Sequence, residues 1–89
     1  MSYIVTYEPE ALADLEKLSK DVCQRILTKV DWLAENFEHI APQPLSSNLS
    51  GFFKLRVGDY RVIYEFSREE QTITVDRVGH RSQIYNLLE

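Results

Sequence analysis

The chain has a single cysteine in 89 residues. Cys23 therefore has no partner for an internal disulfide, and its place on the apolar stripe of a predicted helix makes it a small core residue. The two histidines, His39 and His80, stand far from it and from each other, which is no metal-ligand spacing. With only three glycines, there is no Gly-rich phosphate loop and no nucleophile elbow. No apolar run approaches the roughly 20 residues that span a bilayer. The first residues, Met1 to Glu8, lack the basic-then-apolar order of a secretory signal. Repeats and low-complexity tracts are also missing. These absences lead us to expect one soluble, cytoplasmic domain over residues 1–89, without metal, cofactor or membrane. A chain of this size can bury a core but has no room for a separate cofactor domain.

Positive charge is in short supply overall. The formal net charge is −4, which argues against non-specific nucleic-acid binding as the main property. The distribution is more telling than the sum. Residues 1–50 hold eight acidic and four basic side chains, whereas residues 51–89 hold six of each. Every arginine except Arg25 lies in the second half.

The chain reads as an α+β domain of element order β-α-α-β-β-β. Tyr3–Tyr7 alternates as a short strand. Pro9 suits the first turn of a helix, along which Ala11, Leu12, Leu15 and Leu18 fall at helical spacing. Ser19 is placed to cap a second helix, whose stripe runs Val22, Cys23, Ile26, Leu27, Val30, Leu33, Ala34, Phe37. The two helices form a predicted αα-hairpin. Glu38–Gly51, with Pro42, Pro44, Ser46, Ser47, Asn48 and Ser50, reads as a loop. Phe53–Val57 and the strand from Tyr60 form a hairpin about Gly58-Asp59. Ser67–Gln71 connects to a last strand, Thr72–Gly79, with a bulge expected near Arg77. The tail Arg81–Glu89 has room for one turn of helix. An antiparallel sheet with both helices on one face follows, leaving the other face open.

The hairpin carries the chemistry. Alternation places Lys54, Arg56 and Arg61 on one face, while Phe53, Leu55 and Val57 face the other way, as do Tyr60, Val62, Tyr64 and Phe66. Cations held on rigid paired strands suit an anion, phosphate above all. The plainer reading of the same spacing is a solvated hairpin face. The aromatic row reads as core rather than as a base-stacking platform. Trp32, at the edge of the second helix's stripe, is open to core or partner contact.

The run Leu49-Ser50-Gly51-Phe52-Phe53-Lys54-Leu55-Arg56-Val57-Gly58-Asp59-Tyr60-Arg61-Val62-Ile63-Tyr64, followed by Val78-Gly79-His80-Arg81-Ser82-Gln83-Ile84-Tyr85, resembles the RelE/ParE superfamily of toxins from toxin–antitoxin pairs, and within it the RelE branch. The resemblance implies a metal-independent endonuclease that cuts mRNA in the ribosomal A site and is silenced by a co-expressed antitoxin. By motif position, the family's active residues fall on Lys54, Arg61, Arg81 and Tyr85. Attack of a ribose 2′-OH on the adjacent phosphate needs a base, cations for the transition state and an acid for the leaving 5′ oxygen. In this scheme Arg61 and Arg81 hold phosphate oxygens. Arg81 is also a candidate acid by its resemblance to relatives. Lys54 serves as base only where nearby cations favour its neutral form. Tyr85 stacks on a base or orients the phosphate. Arg56 is either an RNA contact or a solubilising charge. His80 is either an acid–base helper or a surface histidine. Arg68, in the connection before the last strand, lies outside the set.

Two departures from the family pattern stand out. Phe52 occupies a position that is basic in some active relatives, and the chain is more acidic than many ribosome-binding toxins. The superfamily supplies two rival readings, a ParE-like inhibitor of DNA gyrase and a degenerate toxin that only binds antitoxin. Retention of Lys54, Arg61, Arg81 and Tyr85 favours the nuclease, since a gyrase binder has no use for them.

Overall fold

The computed structural model describes residues 2–45 and 49–88. Ser46, Ser47 and Asn48 of the predicted loop lie outside the described residues. β1 (Ile4–Tyr7) leads into α1 (Pro9–Glu16) and α2 (Lys20–Asn36), then a 3₁₀ turn at Phe37–His39. β2 (Gln43–Pro44), β3 (Phe53–Val57), β4 (Tyr60–Ser67) and β5 (Thr72–His80) follow, and a second 3₁₀ turn spans Ile84–Leu88. The α+β class and the element order agree with the sequence expectation, with one addition. β2 falls inside the predicted loop, where two residues are too few to show a period. Its Pro44 pairs with Phe53, and the neighbouring Leu45 N–H donates to the Phe52 carbonyl at 3.0 Å. Ladder bonds therefore alternate past Pro44, which needs no N–H there.

The sheet order is β1-β5-β4-β3-β2. The expectation of a wholly antiparallel sheet fails at one edge, because β1 runs parallel to β5 from Ile4↔Thr72 to Tyr7↔Val75. Two helices and a three-strand meander separate these partners in sequence, and alternation within a strand carries no record of its neighbour's direction.

Ser19 caps α2 as its chemistry suggests, with its Oγ accepting from the Val22 N–H at 3.3 Å. The α2 stripe is buried at Ile26, Val30, Leu33 and Ala34. α1 turns slightly from the predicted face, so that Leu12 is 49% exposed while Asp14 is buried beside Ala11 and Leu15. Both helices cover one side of the sheet. One cluster joins Ala11, Ile26, Val30, Val62, Val75 and Val78. A second, largely aromatic cluster surrounds Phe37, whose ring lies 4.8 Å from those of both Tyr3 and Phe66. Tyr64 is fully buried in this cluster and Phe66 packs against it, so the aromatic row is core, as expected. Among the described residues, no helix is long and apolar enough to cross a membrane.

The expected bulge lies opposite the Ile63/Tyr64 step, where β5 skips Asp76 between Val75 and Arg77. There Asp76 sits with one carboxylate oxygen buried and unbonded. Burial, a hydrogen bond with Glu65 and the charges of Glu65, Glu8 and Glu10 push its carboxyl up to about 7. Such a raised acid binds more protons folded than unfolded between about pH 4 and 7. Its stabilising contribution is present in full below the unfolded value and is lost as pH rises through 7. Urea melts should therefore show the protein weaker at pH 8 than at pH 5. Asp76→Asn should flatten that dependence and raise stability at pH 8 by about 1–2 kcal/mol. An unchanged slope would show that Asp76 is not its source.

Candidate functional site

The hairpin closes on two residues, with Val57 paired to Tyr60. Gly58 has φ +58°, and Asp59 is not in the left-handed region. This is the type II′ pattern, which wants glycine at its first central position. Beyond the turn, register sets the faces. Arg56 pairs directly with Arg61, and Lys54 with Ile63. Directly paired residues point the same way, so Lys54, Arg56 and Arg61 share the side of the sheet away from the helices, as the alternation predicted. Two like charges directly opposed are destabilising. None of these three cations has a carboxylate within salt-bridge distance among the described residues.

Arg61 is half-buried and folds back on its own turn, where its Nη1 donates to the carbonyls of Gly58 at 3.0 Å and Tyr60 at 2.9 Å. One edge of the guanidinium is thereby anchored, leaving donors on Nε and Nη2. Arg81 joins the same turn from the end of β5. Its N–H donates to the Asp59 carbonyl at 2.8 Å, and its Nε stands 3.7 Å from Asp59 Oδ1, both side chains being largely exposed. So loose an exposed pair contributes little and can yield to a phosphate. Asp59 as tether for Arg81 escaped the sequence reading, because nothing in turn chemistry names a partner twenty-two positions away.

The open face is smaller than expected. Ile63, on the cation side, and Ile84 are fully buried. The C-terminal 3₁₀ turn lies over Gly79, the residue paired with Arg61. A Cβ there would sit 3.1 Å from Ile84 Cδ1 and 3.5 Å from Leu87 Cδ1. Tyr85, 42% exposed, is carried on this turn, so its seat adjoins Arg61. Gly79→Val is expected to unseat the turn. It should cost about 1–2 kcal/mol and speed amide exchange across Ile84–Leu88. Unaltered exchange would count against Gly79 as the seat.

His80 goes elsewhere. It pairs with Tyr60, the two rings meeting edge-on with centroids 5.5 Å apart. This places it on the helix side of the sheet end, away from Arg61. Its Nδ1 accepts the Ser82 N–H at 3.1 Å and meets Ser82 Oγ at 2.8 Å. A backbone N–H can only donate, so the neutral ring carries its proton on Nε2. The geometry thus separates His80 from the candidate acid–base chemistry. Another cation does arrive unannounced: Arg25 Nη2 lies 3.0 Å from where a Cβ on Gly58 would be. Lys54, Arg56, Arg61, Arg81 and the seat of Tyr85 are brought to one end of one face.

Past the end of β1, Arg77 anchors β5. Its Nε and Nη2 donate to Asp14 Oδ2 and Oδ1 at 2.8 and 3.0 Å, and Asp14 Oδ2 also accepts the Val78 N–H at 2.9 Å. β1 ends before this part of β5, so a helix carboxylate takes the place of a strand. Burial raises the Asp14 carboxyl, but the Arg77 and Val78 hydrogen bonds outweigh it and hold it below the usual range. Arg77 Nη1 also donates to the Leu87 carbonyl at 3.4 Å, tying the tail to the same network.

Comparison with known proteins follows the same lines. Residues 5–85 match the profile of the family described as ParE toxin of type II toxin-antitoxin system, parDE. The chain is 36% identical over 89 residues to Toxin RelG of Mycobacterium tuberculosis, covering 96% of this chain and 98% of that one. It is 27% identical over 85 residues to Toxin RelE of the same organism, covering 96% of this chain and 88% of that one. Among solved structures, it resembles the toxin–antitoxin complex RelBE2 from M. tuberculosis with TM-score 0.82 and 29% identity, covering 92% of this chain and 94% of that one. The isolated Escherichia coli RelE toxin shares the fold, with TM-score 0.73 at 22% identity over 98% of this chain and 95% of that one.

Proposed function

The chain belongs to the RelE/ParE superfamily of type II toxin–antitoxin toxins, and from that premise we propose that it is a ribosome-dependent mRNA endonuclease, held inactive by an antitoxin. The observation that carries this reading is the unneutralised Arg56–Arg61 pair beside Lys54, Arg81 and the seat of Tyr85. A sheet selected for folding alone has no reason to oppose two arginines, whereas a phosphate that gains charge in the transition state does. In the proposed mechanism, Arg61 and Arg81 grip the scissile phosphate. Lys54, in its neutral form only, is the candidate base for the 2′ proton, Arg81 is the candidate donor to the 5′ oxygen, and Tyr85 orients the nucleotide. The chain's own net charge of −4 gives free RNA little electrostatic grip, so the ribosome supplies the oriented message. The antitoxin follows from the relatives, one of which is solved as a toxin–antitoxin complex.

One observation favours a second reading: the matching family profile is that of ParE toxins, so a gyrase inhibitor on this fold is the rival. Expression without an antitoxin separates the two. Incorporation of labelled amino acid should fall before that of thymidine, and mRNA should be cut in a translating extract but not as naked RNA. Early arrest of DNA synthesis with supercoiling defects would favour the gyrase reading, and robust cutting of naked RNA would remove the ribosome from the mechanism.

A further inference from the structure

Arg61 and Arg81 reach the candidate site by unequal means. Arg61 lies inside β4 and pairs with Gly79, so the sheet fixes its backbone. Arg81 lies one residue past the end of β5. Its N–H donates to the Asp59 carbonyl, but its side-chain pair with Asp59 is long and exposed. Two arginines that grip one phosphate must stand in register, because a misplacement of about 1 Å costs on the order of a hundredfold in rate.

His80 supplies the hold that the sheet does not. Its carbonyl accepts the Gln83 N–H at 2.9 Å, which closes a turn with Arg81 and Ser82 at its centre. Its ring nitrogen Nδ1 accepts the Ser82 N–H at 3.1 Å, inside the same turn. Both bonds run from one residue and span Arg81. A side-chain acceptor bonded to the N–H two positions on is the turn that aspartate and asparagine make. Here an imidazole makes it, which is why turn chemistry gave no sign of it in the sequence.

The imidazole is itself seated. It meets the Tyr60 ring edge-on, with centroids 5.5 Å apart, and Tyr60 packs against the core cluster of Ile26, Val30, Val62 and Val78. Tyr60 adjoins Arg61 just as His80 adjoins Arg81, and Tyr60 and His80 are paired across the ladder. One ring contact on the helix side therefore joins the backbones that carry the two arginines.

We propose that His80 is a positioning residue for Arg81: the neutral ring, with its proton on Nε2, holds the turn through Ser82 and so presents the Arg81 guanidinium to the scissile phosphate beside Arg61. The proposal rests on the nuclease reading and deepens it. His80 moves no proton and touches no substrate, since it lies on the helix side of the sheet end. Its contribution is the acceptor on Nδ1 and the packing of the ring on Tyr60.

Hydrogen exchange at the Ser82 amide reads the contact, and mRNA cleavage in a translating extract reads its consequence. His80→Leu keeps bulk against Tyr60 but has no acceptor. It should speed Ser82 exchange about fivefold, the loss of one exposed hydrogen bond, and lower kcat/KM roughly tenfold, its fold checked by circular dichroism. His80→Asn, whose Oδ1 takes the place of Nδ1 without any titratable proton, should restore both. His80→Gln carries its acceptor one bond further out. It should match the leucine variant, and replaces it if that chain does not fold. On an Arg81→Ala background, His80→Leu should have almost no further effect, because a residue that acts through Arg81 has nothing left to position. Unchanged Ser82 exchange in the folded leucine or glutamine variant, cleavage still lost in His80→Asn, or full additivity with Arg81→Ala would each overturn the proposal. A native chain that cuts no mRNA overturns the nuclease reading, whereas the Ser82 amide still decides whether His80 holds this turn.

Discussion

Alanine at Arg61 or at Arg81 is expected to abolish mRNA cleavage in a translating extract while leaving the fold in place. Each truncation removes a charge-assisted contact that strengthens as the phosphate gains charge. The loss is ~3 kcal/mol, on the order of a hundredfold in rate. Stability should change far less. Arg61 donates to two carbonyls of an exposed turn, which water can serve instead, so about 1 kcal/mol is at stake. Arg81 is held by its backbone, and its side-chain pair with Asp59 is long and exposed. Arg56→Ala should slow cleavage less, and it relieves the repulsion with Arg61. Arg68 is no neutral control, because its guanidinium lies 5.4 Å from the Phe37 ring and 5.2 Å from that of Phe66. Glu69→Ala, exposed in the same connection, serves instead. A folded Arg61→Ala/Arg81→Ala protein that cuts at the native rate would reduce the cluster to a solvated surface.

The largest stability effect is expected at Asp14. Asp14→Ala strands Arg77, which is 23% exposed, together with the Val78 N–H, where water has little access. Breaking a buried ion pair from one side costs about 3 kcal/mol. Asp14→Asn should fall between, since its carbonyl can still accept from Val78. The acid limb gives an independent check. A carboxyl held below its unfolded value contributes stability above about pH 4 that is lost as pH falls through the folded value. That loss should be visible in the native protein and missing in Asp14→Asn. Urea melts measure both. A loss under about 1 kcal/mol in Asp14→Ala would mean that water replaces the carboxylate and that the network is peripheral.

Much of the candidate site was legible because strand alternation is strict. Once Phe53, Leu55 and Val57 are core, Lys54 and Arg56 must share the other face, and the short Gly58-Asp59 turn brings Arg61 opposite. His80 shows the limit of that reasoning. It adjoins Arg81 in sequence, but neighbours along a strand face opposite ways, and the parity of β5 could not be counted through a bulge. Asp14 was hidden for a different reason: a polar residue within an apolar stripe looks like surface until its partner, sixty-three positions on, is known.

The sequence by itself determined the elements other than β2. Helical spacing, the Ser19 cap, the Pro9 start and the hairpin turn are local features, encoded within a few residues of where they act. Only the tertiary structure decided what those elements meet. β1 lies parallel to β5, Asp14 stands in for a missing strand, the tail seats on Gly79, and the cation Arg25 reaches Gly58. Each depends on two segments far apart in the chain whose contact is selected by the energy of the whole fold, and no local period records which distant surface will fill a given space.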